Sequence, residues 1–240
     1  MENLRISAKD LGQLALPDFC PRCFWVSRRA PKGLPYQVFP GIFSSIDSYT
    51  KKVVHRYFDV HRRAPDWLAP LAPITNYREP PHHTKFRVRH EATGILLTGA
   101  LDAIFERPDG TLVLADYKTA KFTGNQDALL PLYEVQLNGY AYIAAALEWP
   151  RISALALIYT EPQTASDDAH PDRSGRDSGF AMDFAARILP LPLQPSMVEP
   201  LLRRTKEIVE SDAPPAGREG CKECERLAGV VGLLAGGGAA

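Results

Sequence analysis

The chain of 240 residues has only four cysteines and three methionines, and its 28 basic and 28 acidic residues cancel to a formal net charge of zero. No bulk positive charge announces a nucleic-acid partner, which would have to be met by a local basic groove. No apolar run reaches membrane-spanning length, and the opening "MENLRISAKDLGQL" is too charged for a signal peptide. A cytoplasmic protein without membrane contact is therefore expected. Neither an internal repeat nor an inter-domain linker is visible. What is present, 45% hydrophobic and 23% charged residues, is ordinary globular composition, with length enough to bury a sizeable core.

Scarce cysteine makes its placement informative. All four lie in C-x-x-C pairs, Cys20/Cys23 in "CPRC" and Cys221/Cys224 in "CKEC", near opposite ends of the chain. In a reducing compartment this favours metal or cluster ligation over disulfides. A thioredoxin-like redox role needs one pair and leaves the second without a purpose. Four unrelated buried thiols would not explain why every cysteine sits in such a pair.

Periodicity and turn residues predict the elements. Ser7 caps a short helix through "AKDLGQLA", and a helix over 45–63 carries Ile46, Tyr49, Val53, Tyr57 and Val60 at helical spacing. "APDWLAPLAPITNYREPPHH" is too proline-rich for a regular element. "TKFRVRHE" and "ILLTGALDAIFE" read as successive strands, and "RPDG" is a tight turn into the strand "TLVLADYK". A helix over 128–149, the buried strand "ISALALIYT", a strand within "FAMDFAARILPL" and a helix within "PSMVEPLLRRTKEIVES" complete the order. The pattern predicts an α/β fold, a mixed central sheet flanked by helices. One domain over 1–226, its ends clasped by the cysteines, is followed by a flexible Gly/Ala tail over 227–240.

The chemistry concentrates in "LVLADYKTA" (112–120). Residues 112, 114, 116 and 118 share one face of a strand, so that face begins apolar and ends with Asp116 and Lys118. If "RPDG" forms a type I turn with a bulge at the glycine, Arg107 faces Thr111 and Asp102 falls opposite Asp116 on that face. Facing carboxylates repel, and a shared cation removes the conflict. Two carboxylates suit Mg²⁺ or Mn²⁺, with Lys118 beside them to position a water or steady phosphate charge. The backbone carbonyl of Tyr117 is a further candidate ligand. A register slip of one residue would separate the aspartates. The plainer alternative is an exposed cross-strand Asp116–Lys118 ion pair with Asp102 an incidental polar residue. On the following helix, Gln136 and Tyr140 lie one turn apart and share a face.

"GALDAIFERPDGTLVLADYKTA" followed by "QLNGYAYI" resembles the core of the PD-(D/E)XK nuclease superfamily, and within it the RecB-like branch of CRISPR-associated adaptation nucleases and helicase-coupled repair nucleases. The motif-bearing match covers about 95–145. The resemblance implies metal and catalytic roles for Asp102, Asp116 and Lys118, with Gln136 and Tyr140 matching the branch's Q-x-x-x-Y helix. It implies a metal-completing Glu or His on the upstream helix, for which His55 is the first candidate and His61 the second, ahead of His82, His83 and His90. It also implies a 4Fe-4S cluster on the terminal cysteines. The branch's usual arrangement is one early and three late cysteines, and the two-and-two pattern here leaves structural Zn²⁺ open.

The implied activity is divalent-metal-dependent hydrolysis of DNA at single-stranded ends or overhangs, in repair or CRISPR adaptation, with a helicase or integrase subunit as partner. The alternative is a catalytically silent DNA-binding or scaffold module of the same fold. Arg28, Arg29, Lys32, Arg56, Arg62, Arg63 and Lys121 are the candidate phosphate contacts, provided they converge on the hairpin.

Overall fold

The structure is a computed structural model that describes residues 4–30, 41–122, 128–168 and 175–236. Its centre is a five-stranded mixed sheet. Strands β2 (Asn76–Arg78), β5 (Ala103–Glu106), β6 (Leu112–Lys118), β7 (Ile152–Pro162) and β10 (Phe184–Leu191) lie in the spatial order β10-β7-β6-β5-β2. Only β6 and β7 run parallel, because the helix α4 (Leu130–Ala146) carries the chain back between them. A smaller sheet has β1 (Arg5–Ser7) parallel to β4 (Leu96–Thr98), which pairs antiparallel with β3 (Arg87–Arg89). A two-stranded ribbon, β8 (Gly175–Arg176) and β9 (Gly179–Phe180), completes the strands.

Each face of the large sheet has its own core. Ile104, Leu112, Leu114, Leu155 and Leu157 pack under α4 with α1 (Ala8–Gly12) and α5 (Val198–Glu210). On the other face Phe105, Val113, Ala115 and Ile158 meet Val54 and Phe58 of α3 (Gly41–His61) and Leu68 and Leu71 of a 3-10 turn. Ser7 caps α1 as expected, its Oγ accepting from Asp10 N at 3.0 Å.

The "RPDG" hairpin has the expected register. Gly110 N donates to Arg107 O at 3.0 Å, Arg107 N donates to Thr111 O at 3.0 Å, and Gly110 takes φ +77°, the left-handed conformation glycine permits. Ala103 pairs with Ala115 and Ile104 with Leu114, so Asp102, one residue before β5, falls opposite Asp116.

Four sequence expectations are corrected. "ILLTGALDAIFE" is two strands in two sheets, β4 and β5, broken over 99–102. A Cβ at Gly99 would lie 2.7 Å from Phe86 Cδ1 and 2.8 Å from Tyr140 Cδ1, so the chain crosses between sheets where two rings crowd its backbone. The proline-rich segment holds the 3-10 turn Asp66–Leu71 and the strand β2; prolines are tolerated in a short 3-10 turn and beside an edge strand. Helix α3 buries Val54 and Phe58, while Tyr49, Val53 and Val60 are exposed. The stripe with the large Phe58 ring wins because that ring stacks on Phe105, centroids 6.1 Å apart.

The fourth is the expected tail, where a helix α6 (Lys222–Leu234) runs well past residue 227. Its first turn carries Glu223 and Glu225, which complement the helix dipole, and proline is missing throughout. Residues 237–240 lie outside the described residues.

Candidate active site and cysteine cluster

The apolar half of β6 enters the core, and its last turnings open into a cleft. Leu112 and Leu114 are almost wholly buried, Asp116 is 3% exposed, and the strand then delivers Lys118 to the wall of a cavity of about 570 Å³. Asp47, Asp102, Gln136 and Tyr140 line the same cavity.

Asp116 is held on two sides. Gln136 Nε2 donates to its Oδ1 at 2.9 Å, and Lys118 Nζ stands 2.5 Å from its Oδ2, an oxygen with no further hydrogen-bond partner among the described residues. The same Gln136 nitrogen lies 2.8 Å from the Tyr140 hydroxyl. Gln136 and Tyr140 are one helical turn apart by their spacing of four, and the packing of α4 against β6 aims the row at one carboxylate. Burial first, and then the charge of Asp116, pushes the Tyr140 phenol well above its usual range. It therefore stays a neutral hydrogen-bonding group. Gln136 Oε1 is buried with no hydrogen-bond partner among the described residues. The Lys118 ammonium also stacks over the Tyr133 ring, 3.9 Å from its centroid.

Asp102 is fixed from the strand and from α3. Tyr117 N donates to its Oδ2 at 3.2 Å, and Lys51 Nζ lies 2.7 Å from its Oδ1 and 2.9 Å from Asp47 Oδ2. Burial, with Asp116 adding to it, raises the Asp102 carboxyl to about 6 against the pull of Lys51. For Lys51, burial acts to lower the pKa, but the charge of Asp102 prevails and the net shift is upward. The Tyr117 ring points to the opposite core, as alternation requires.

Asp47 and Lys51 were not legible as site residues from the sequence. The signal was present. Ser44, Asp47, Lys51, Val54 and Phe58 follow one helical stripe that starts polar and ends apolar. The same change of character along one face occurs in β6.

The histidines are elsewhere. His55 Nδ1 lies 3.0 Å from Glu79 Oε1 and its ring stacks on Tyr77 at 4.0 Å, so it faces β2 rather than the paired aspartates. His61 packs on Tyr57 at 4.3 Å, His82 and His83 stack on each other, and His90 is buried with Nδ1 2.8 Å from Thr93 Oγ1. Among the described residues singled out for a basic groove, the arginines are engaged elsewhere or exposed. Arg28 pairs with Asp10 and Arg63 with Asp66, Arg29 donates to the carbonyls of Val209 and Ser211, and Arg56 and Arg62 are exposed. Lys32 lies outside the described residues. Among the described residues, Lys51 and Lys118 pair with the carboxylates and Lys9 lies on the cavity wall.

The four cysteines meet in a separate cluster. Cys20 precedes helix α2 (Pro21–Arg29) and Cys221 precedes α6, each with extended backbone, and Cys23 and Cys224 follow in the first turns. Among the described residues, this is the one group of three or more His, Cys, Asp or Glu side chains close enough to share a single ion.

The fold is a mixed sheet flanked by helices, with an acidic cleft at the end of its central hairpin and a cysteine clasp between its termini. A family model of the PD-(D/E)XK nuclease superfamily matches residues 26–228, and the chain belongs to that superfamily. Its members are mostly metal-dependent nucleases, and the membership suggests nuclease activity with DNA as substrate. A solved structure described as "Crystal structure of SSO0001" is similar at 14% identity and a TM-score of 0.43, over 88% of this chain and 79% of that one. No curated protein matches this chain. Among the described residues no helix is long and apolar enough to cross a membrane.

Proposed function

We propose that this protein is a Mg²⁺- or Mn²⁺-dependent deoxyribonuclease that cleaves phosphodiester bonds at single-stranded ends or overhangs. The observation that carries the proposal is the convergence of Asp102, Asp116 and Lys118, from two paired strands, with Gln136 and Tyr140 from α4 in one cavity. Two opposed carboxylates, one with an oxygen that meets only the Lys118 ammonium among the described residues, suit a hard divalent cation, which keeps several waters and takes few protein ligands. Asp102 and Asp116 would hold the ion, with Asp47 and the Tyr117 carbonyl as further oxygen donors nearby. When bound, such an ion supplies Lewis acidity toward phosphate and lowers the pKa of water.

The protein's own groups have distinct tasks. Gln136 locks the Asp116 rotamer through its Nε2 hydrogen bond, and Tyr140 holds Gln136 in that orientation. Lys118, fixed between Asp116 and the Tyr133 ring, places a positive charge where an attacking water or a phosphate oxygen would sit. The single-stranded preference rests on the Gln136/Tyr140 helix, which resembles that of the RecB-like branch. A helicase or CRISPR integrase subunit, in repair or spacer acquisition, would bring such ends to the cleft.

The test is cleavage of end-labelled single- and double-stranded DNA with Mg²⁺ or Mn²⁺, alongside Asp116→Ala and Lys118→Ala. Cleavage by the wild type and its loss in both variants, with unchanged circular dichroism, is expected. Wild-type-like cleavage by either variant overturns the assignment. DNA retention without cleavage under every divalent metal would instead identify a silent binding module.

A further inference from the structure

We infer that the four-cysteine site holds one tetrahedral zinc ion rather than the 4Fe-4S cluster implied by the RecB-like resemblance. The sulfur spacing decides it. Cys23 Sγ lies 3.4 Å from Cys224 Sγ and 3.6 Å from Cys221 Sγ, Cys20 Sγ lies 3.5 Å from Cys224 Sγ, and all four sulfurs fall within 4.8 Å of one another. Four thiolates around one zinc, each at about 2.3 Å, stand about 3.8 Å apart along the edges of a tetrahedron. In a 4Fe-4S cluster each thiolate binds a different iron at a corner of a larger cage, which sets the sulfurs about 6 Å apart. The widest separation here is short of that.

The loop over 215–218 lies against the cluster. A Cβ at Gly217 would stand 3.1 Å from Cys224 Sγ and 3.5 Å from the Arg22 guanidinium carbon, so the loop backbone passes close to both. Arg218 N donates to Cys20 Sγ at 3.3 Å from the other side of the loop. Arg22 Nε and Arg218 Nε donate to the carbonyls of Pro215 and Asp18, which tie this loop to the segment around Cys20.

The charge environment is compatible with the dianionic centre that such an ion forms. One divalent cation with four thiolates carries two negative charges. Two helix N-termini, those of α2 and α6, start at the site in the same way, each with one cysteine at the cap and its partner in the first turn. Arg22 lies alongside. Tetrahedral all-sulfur coordination selects zinc among redox-inert ions. Its role is structural, joining residues 20–23 to residues 221–224 across almost the whole chain, alongside the hydrogen bonds that Trp25 and Arg29 make to the carbonyls of Val209 and Ser211.

The inference is independent of the nuclease proposal, since its readout is metal content. The protein is purified under anaerobic conditions and assayed for zinc, iron and acid-labile sulfide, with Asp116→Ala as a control for ions in the acidic cleft. About one zinc per chain is expected in both, in colourless protein, with no sulfide. Cobalt exchanged into the wild-type protein should give the intense visible bands of a tetrahedral thiolate site. Cys23→Ser and Cys224→Ser should lose the zinc, and if they fail to fold the cobalt spectrum of the wild type still decides. A brown protein with four irons and four sulfides, a single iron in place of zinc, or four free thiols titratable in the native protein would each overturn it.

Discussion

The Lys51 ammonium lies 2.7 Å from Asp102 Oδ1, and the same nitrogen reaches Asp47 at 2.9 Å. In the metal-free protein this lysine neutralises the carboxylates that the proposed ion would share. Lys51→Met should lower the stability of the metal-free protein by about 1–2 kcal/mol, as expected for a half-buried pair that loses its cation. The variant should gain more from Mn²⁺ than the wild type, because the ion then replaces a missing charge rather than competing with one. Differential scanning fluorimetry with and without Mn²⁺ measures both effects.

Asp102 makes the metal-free protein pH-sensitive. Its folded-state carboxyl is raised to about 6 from an ordinary 3.8, so the native state holds this proton more tightly than the unfolded chain. Its contribution to stability is therefore greatest below about pH 4 and is lost as pH rises through about 6. Metal binding runs the opposite way, since it needs the ionised carboxylate. The melting temperature should fall across that window without metal, and the Mn²⁺-induced rise should grow. Asp102→Asn should flatten both profiles.

The upstream helix offers a choice between two residues. His55 faces Glu79 and Tyr77, whereas Asp47 lines the cavity and pairs with Lys51. Asp47→Asn should reduce DNA cleavage tenfold or more, by about 1.4 kcal/mol of transition-state stabilisation. His55→Ala should leave the rate within about twofold, a difference worth under 0.5 kcal/mol. Initial rates at saturating Mn²⁺ compare the two, and an inactive His55→Ala with an active Asp47→Asn would reverse the assignment.

Tyr140 acts through Gln136. Tyr140→Phe leaves the Gln136–Asp116 hydrogen bond in place but removes the oxygen that holds the amide. It should cost about 1 kcal/mol of stability and lower kcat with little change in KM. Gln136→Leu should cost more, because it leaves an oxygen of buried Asp116 without its donor. Chemical denaturation and steady-state cleavage of an oligonucleotide separate the two readouts.

Gly99 marks the passage between the sheets. Gly99→Ala places a methyl group within 2.8 Å of ring carbons of both Phe86 and Tyr140, which is overpacking worth about 1–3 kcal/mol. Because Tyr140 must shift to make room, cleavage should weaken along with stability. Denaturant midpoints and cleavage rates of the variant check this.

The hairpin was legible because everything it needed is local. "RPDG" dictates the turn, the turn dictates the register, and alternation then sets Asp102 against Asp116 and turns Tyr117 to the other face. The Gln136/Tyr140 row was equally visible as a spacing. That it closes on Asp116 Oδ1 needed α4 laid across β6, which no local pattern states. Helix α3 shows the limit more sharply. It carries apolar residues on more than one stripe, and only the position of Phe105 beneath it selects Phe58 over Tyr49 and Val60.

The sequence by itself determined the register of the central hairpin, the class of fold and the membership of every cysteine in a C-x-x-C pair, all of which follow from spacing within a few residues. Only the tertiary structure decided which helical residues join the carboxylates, and it brought in Asp47 and Lys51 in place of His55. It also decided how close four sulfurs from opposite ends of the chain approach one another. Those outcomes depend on how far apart packed elements come to rest, and that distance is set by the whole core rather than by any segment of it.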